Sequence, residues 1–183
     1  VVYRRISNII LFDIIILAPC LVAYYAANAQ GVSPFLVPVA LSAMLATVLF
    51  DAEIGLVISL ACSILCASIL GELQFGLVYL ITGIIGAYSV RQVRHRSDFY
   101  RSIVFLTITY ILTIACSSVL LFTYLDPVEF ITKIRHDLLI GVFTACASSI
   151  LTIGLLPIFE SIFSVVTPIT LLELSDLNRP LLR

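Results

Sequence analysis

"LLIGVFTACASSILTIGLLPIFESIF", residues 138–163, decides how the chain reads. No charged side chain interrupts it before Glu160, and a hydrocarbon core about 30 Å thick needs about 20 apolar residues in helical form. Residues 138–156 already have that length. The apolar pattern nevertheless continues through Pro157, Ile158, Phe159, Glu160, Ile162 and Phe163 to Val166. A bend is expected at Pro157, which has no N–H to give to the helix ladder, and Glu160 should then emerge near the bilayer interface. Thr167-Pro168 ends the run, because a residue before proline is pushed out of the helical region. Two new helix starts follow. Thr170-x-x-Glu173 has capping-box spacing, and Asn178 or Arg179 precedes Pro180, which suits a first helical turn. The close of the chain, "ELSDLNRPLLR" (173–183), therefore reads as a short ordered adaptor helix leading into a further domain.

The rest of the sequence has the same character. Of its 183 residues 61% are hydrophobic and 11% charged, with mean hydropathy +1.17; ordinary globular chains are about half apolar and a quarter charged. The composition is that of an all-α membrane protein. Charges and prolines divide the chain into six candidate spans, approximately 6–27, 34–50, 54–71, 73–90, 102–125 and 138–164. The longer connections are 91–101 and 126–137. Residues 1–164 form the expected transmembrane bundle and 165–183 the cytoplasmic linker. The opening "VVYRRISN" runs into an apolar stretch too long for a signal peptide, and the chain reads as a fragment cut at both ends.

Orientation follows from where the ten Lys and Arg residues fall. Arg4, Arg5, Arg91, Arg94, Arg96, Arg101, Arg179 and Arg183 lie on one side of the six spans, and Lys133 and Arg135 on the other. Basic residues in short loops stay inside, so both termini are expected to be cytoplasmic. Tyr24, Tyr25 and Tyr124 then mark the outer interface, and Tyr88 and Tyr100 the inner one. A net charge of −1 gives no reason to expect a nucleic-acid partner; the partner indicated is the lipid bilayer.

Few side chains could carry chemistry. The five cysteines (20, 62, 66, 116, 146) lie in apolar runs, where sulfur behaves as a small hydrophobe. Ser59, Ser63, Ala67 and Gly71 recur every four residues, as do Ala145 and Ser149. Such stripes read as seams where helices approach closely, or less simply as a substrate groove. Asp13 lies about two turns inside the first span, where a carboxylate is costly unless paired, hydrated or protonated. Hydroxyls counted to comparable depth are Ser42, Ser63, Thr82, Thr109 with Tyr110, and Ser148 with Ser149, so a polar layer is expected in the cytoplasmic half of the bundle, with Asp13 either a protonated structural acid bonded to one hydroxyl or a ligand or proton site. Asp51 and Glu53 face the arginine-rich loop of Arg91, Arg94 and Arg96, an arrangement suited to exposed ion pairs or anionic headgroups. His136-Asp137 spells the dipeptide of metal-dependent phosphohydrolases, but the other histidine, His95, falls on the opposite side of the membrane. The pair reads as the polar start of the sixth helix. No phosphate loop, nucleophile elbow or metal-ligand spacing is present, so no catalytic or metal-binding residue is assigned in this chain.

"GLLPIFESIF" (154–163), Thr167 and "LLELSDLNRPLLR" (171–183) together resemble the end of the membrane region in the family of seven-transmembrane receptors with an intracellular HD hydrolase domain. "PVALSAMLATVLFDAEIGL" (38–56) is similar to that family's passage from second to third helix, and "RRISN" and "RHRSDFYRS" to its basic cytoplasmic loops. Leu177 departs from the proline or turn residue expected there. The resemblance implies a bacterial plasma-membrane protein with an extracellular domain, seven helices and an HD domain that hydrolyses cyclic-di-AMP with a divalent metal pair. Six helices here match a piece that starts after the first of the seven. The metal ligands would lie beyond Arg183, so this chain would need no cofactor of its own. Its partners would be its own extracellular and HD domains, with a homodimer also compatible. The expected function is then a membrane sensor that anchors and regulates the hydrolase. Pro157, Glu160, Pro168, Glu173, Asp176, Asn178 and Pro180 would form the coupling element. The rival readings are a small transporter or channel using Asp13, and a passive anchor or dimerisation module.

Overall fold

The computed structural model describes residues 2–29, 31–91, 99–121 and 127–163. The described residues form six α-helices: α1 Val2–Asn28, α2 Val39–Leu49, α3 Ala52–Leu70, α4 Leu73–Val90, α5 Phe99–Leu121 and α6 Pro127–Phe163, with a 3-10 turn at Pro34–Leu36 ahead of α2. Five of them, all except α2, are long and apolar enough to cross a membrane. Only 28–39% of each spanning window is buried in the bundle. The rest is an exposed surface of side chains such as Leu17, Val57, Leu77, Ile108 and Ile150, which suits lipid and not water.

The buried side of each long helix repeats at helical spacing. On α5 it is Phe99, Ser102, Leu106, Tyr110, Ile114 and Ser118; on α6 it is Asp137, Gly141, Ala145 and Ser149 beside Thr144, Ser148, Thr152 and Leu156. The α6 stripe is small, so α5 packs closely on it. A β-carbon added at Gly141 would lie 2.4 Å from Ile114 Cδ1. The four-residue stripe of α3 makes the expected seam: a β-carbon at Gly83 of α4 would lie 2.1 Å from Ser59 Oγ, and one at Gly76 would lie 2.8 Å from Ala67 Cβ. Gly71 takes no part in that seam and instead terminates α3. Its φ of 73° is the left-handed conformation that glycine adopts without penalty, and its N–H bonds to Ala67 O at 2.9 Å. At the other end of α3, Asp51 caps the helix by accepting from Ala52 N at 2.7 Å.

The second expected span, 34–50, departs from a single helix. Pro38 has no N–H, and the run divides into the 3-10 turn, the extended Val37, Pro38 in neither a helical nor an extended conformation, and the eleven-residue α2. At 1.5 Å per residue α2 is only about 16 Å long, and all eleven of its residues are buried. It is the central post of the bundle. Ser42 Oγ donates to Ile15 O of α1 at 2.7 Å, Phe50 stacks on Phe12 at 4.5 Å, Gly55 of α3 sits against Thr47 and Ala43, Gly86 of α4 against Met44 and Ala40, and Thr152 of α6 meets Met44. Irregular backbone is tolerated among membrane helices where protein encloses it. Here the Tyr79 hydroxyl donates to Pro34 O at 2.7 Å, and Val39 N bonds to Val37 O at 3.0 Å.

The sixth helix also differs from expectation. Residues 127–137, read as a connection, are helical and continuous with the span, so α6 has 37 residues and a length of about 55 Å. Charges set where a bilayer ends, not where a helix ends. Pro127 supplies the start, since its missing N–H would be unpaired in a first turn anyway.

Candidate ligand pocket and output helix

Two ends of the bundle can be distinguished from the contacts. The turn between α2 and α3 (Phe50, Asp51), the close of α4 at Arg91 and the close of α6 share one end; Ser33, the start of α4 and Asp137 share the other.

At the Asp137 end four segments converge. The loop before α2 brings Ser33, Pro34 and Phe35; Glu72 stands at the cap of α4, which brings Gln74 and Phe75; α5 brings Ser117 and Ser118 from its last turns; α6 brings Lys133, His136 and Asp137. Together they line a cavity of about 380 Å³, within the range of about 300–1,000 Å³ usual for small-molecule sites. Its floor is buried: Ser33, Phe35, Ser118 and Asp137 are each at most 9% exposed. Its rim, with Glu72, Lys133 and His136, is open.

The Asp137 carboxylate is held in place. Ser33 Oγ donates to its Oδ1 at 2.9 Å, and His136 Nδ1 lies 3.8 Å from the same oxygen. Ser33 also accepts from Phe35 N at 3.4 Å, so this one serine ties the 3-10 turn to α6. Phe35 packs edge-on against Phe75, and Phe75 lies beside Tyr79, whose hydroxyl holds Pro34. The pocket floor and the beginning of the central helix are therefore one connected structure. Sequence reasoning missed it by treating His136-Asp137 as a polar helix start. The available signal was phase: Asp137 stands four residues before Gly141 and eight before Ala145, on the stripe of small residues.

Other sequence candidates lie elsewhere. Asp13 is exposed on the outer side of α1, whose buried face is Leu11, Ile15 and Ala23. It does not join the buried hydroxyls. Ser42 bonds across to α1, whereas Ser63, Thr82 and Thr109 donate to carbonyls of their own helices. The hydroxyls of Ser59, Ser102, Ser148 and Ser149 are buried without a partner among the described residues. Asp51 and Glu53 are exposed at the opposite end, where Asp51 works as a helix cap and Glu53 sits in the first turn of α3, a favourable place for an acid. Arg91 follows α4 and is exposed. Arg94 and Arg96 lie outside the described residues.

The α6 helix runs through Pro157, which is exposed, to the half-buried Glu160 and the ring pair Phe159–Phe163, 6.1 Å apart. Pro168, Glu173, Asp176, Asn178 and Pro180 fall outside the described residues. A larger groove of about 430 Å³ between α3 and α4 is lined by Leu60, Ala67 and Leu77 and bears no charge. Among the described residues no three His, Cys, Asp or Glu side chains come together as a metal site.

Over residues 1–167 the chain matches the family described as 7TM receptor with intracellular HD hydrolase. It is 32% identical over 157 residues to Cyclic-di-AMP phosphodiesterase PgpH of Bacillus subtilis (strain 168), a match covering 81% of this chain and 21% of that protein. The chain thus corresponds to a minor part of the relative's length. No solved structure matches it. The apolar helical bundle and the match over residues 1–167 agree, and the chain belongs to the family of seven-transmembrane receptors with an intracellular HD hydrolase.

Proposed function

We propose that this chain is the membrane sensor and transducer of a larger protein, and that it anchors and regulates a cytoplasmic HD-type phosphohydrolase acting on cyclic-di-AMP. In this reading the chain crosses the membrane six times, with the 3-10 turn and α2 together making the second crossing. Both termini are cytoplasmic, so the Asp51 end faces inward and the Asp137 pocket outward. Residues 165–183 form the adaptor to the hydrolase. The family membership and the relative's name support the enzyme; the distribution of arginines supports the orientation.

The observation that carries the transducer role is the continuity of α6. A single helix contacts the pocket through Asp137 and extends about 39 Å further to Phe163, at 1.5 Å per residue. Such an element can report a change at one end as a displacement at the other, the kind of helix shift that operates at regulated interfaces. The transporter reading draws no comparable support, since Asp13 is on the exposed side of α1.

The test uses the full-length protein in lipid nanodiscs. Pro157→Ala and Pro157→Leu each restore an N–H that the proline denies to the last turns of α6. Hydrolysis of cyclic-di-AMP should shift about fivefold or more, a coupling of ordinary allosteric size. Rates identical to the unsubstituted protein for both variants would remove α6 as the output.

A further inference from the structure

We propose that the pocket at the Asp137 end binds a small zwitterionic group, a primary ammonium adjacent to an anion. The pattern of used and unused hydrogen-bonding positions carries the argument. The hydroxyl protons of the floor are already committed: Ser33 donates to Asp137 at 2.9 Å, Ser117 to Ile114 O at 2.9 Å, and Ser118 to Ile114 O at 2.7 Å. What these groups still offer are lone pairs. Asp137 is likewise an acceptor when ionised, and it is 9% exposed. The floor therefore calls for a donor, and an ammonium brings both N–H groups and the charge that a buried carboxylate lacks.

The rim is mixed: on one side the exposed Glu72 accepts from the Gln74 amide N–H, and on the other the α6 side chains supply the opposite character to the floor. Lys133 is one helical turn from Asp137 on the same helix, exposed, and can only donate. His136 stands beside it, 61% exposed. An anion attached to the ammonium at short range would meet these groups. Phe35 and Phe75 close the side of the cavity with apolar surface.

Two sources share this chemistry, a soluble zwitterion and the headgroup of an aminophospholipid. A second cavity of about 320 Å³ between α4 and α5 adjoins the first through Gln74 and Ser117, and its walls include Leu77, Ile81 and Leu112. An acyl chain attached to a bound headgroup would have that groove to occupy.

The inference concerns the input of the transducer proposed above, but its test reads binding alone and so stands apart from hydrolysis. Full-length protein is placed in nanodiscs of phosphatidylglycerol. In one arm O-phosphoethanolamine, glycine and L-alanine are titrated and followed by calorimetry; in the other, phosphatidylethanolamine is added to the bilayer and the unfolding midpoint and co-purifying lipid are measured. Saturable binding should occur in at least one arm. The trimethylammonium counterparts, phosphocholine, glycine betaine and phosphatidylcholine, should bind at least tenfold more weakly because they have no N–H to donate. Asp137→Asn, which keeps an acceptor for Ser33, should weaken binding at least tenfold. Lys133→Gln, at an exposed position that folding does not need, should weaken binding of the zwitterions more than that of ethylammonium. No binding in either arm, equal binding of trimethylated probes, or indifference to both substitutions would overturn the proposal.

Discussion

Ser33 and Asp137 are 104 positions apart in the chain and meet at 2.9 Å. Ser33→Ala leaves a buried carboxylate without its donor and should cost about 1.5–3 kcal/mol, the range for hydrogen bonds to charged groups. The check is a lowered unfolding midpoint in nanodiscs, with Ser33→Thr retaining most of the stability. At the α3–α4 seam, Gly83→Ala should destabilise by about 1–3 kcal/mol through overpacking. Ser59→Gly in the same protein should recover most of the loss, because the clash is with that side chain. The seam was legible in the sequence, since small residues every four positions in an apolar helix have few other uses. The facing of Asp13 was not. Counting residues from a span's end gives depth, but residues 9–23 are otherwise so uniformly apolar that no polar side marks which way the helix is turned. Asp137 was legible in principle, because it stands in phase with Gly141, Ala145 and Ser149.

The helices themselves could be read to within a few residues wherever an apolar run ended in a capping group. Asp51 and Gly71 bracket α3, and Arg91 closes α4. Reading failed at two elements, for opposite reasons. In 34–50 an unbroken apolar run hid a break that only Pro34 and Pro38 announced. In 127–137 charged residues suggested a loop where the helix continues into the more polar zone. The short α2 has a consequence of its own. A β-carbon at Gly55 would lie 1.9 Å from Thr47 Oγ1 and 2.9 Å from the Ala43 carbonyl oxygen. A rotamer change can move the first atom, but the second is backbone. Gly55→Ala should therefore force α2 from α3 and destabilise the bundle by about 1–3 kcal/mol or more, visible as loss of the folded, monodisperse species in detergent. Thr47→Ala should rescue it only in part.

At the scale of the whole molecule, the membrane class and the family were legible because composition and hydropathy are global properties. The pocket was hidden because it forms from segments distant in sequence, each unremarkable alone. Orientation is open to direct measurement. With the five native cysteines replaced, a cysteine at Lys133 or His136 should react with a membrane-impermeant maleimide on intact cells, and one at Glu53 or Arg91 only after permeabilisation. The opposite pattern would invert the proposed topology. The central claim is that the junction of the 3-10 turn with α6 controls the hydrolase through α6, and a cross-link at that junction tests it most directly. Ser33→Cys and Asp137→Cys are introduced together into full-length protein lacking the native cysteines of this region, and cyclic-di-AMP hydrolysis is compared in the oxidised and reduced states. The account predicts that the disulfide changes the rate about fivefold or more and that reduction reverses the change, with each single-cysteine control insensitive to oxidation. Complete cross-linking with an unaltered rate would contradict it.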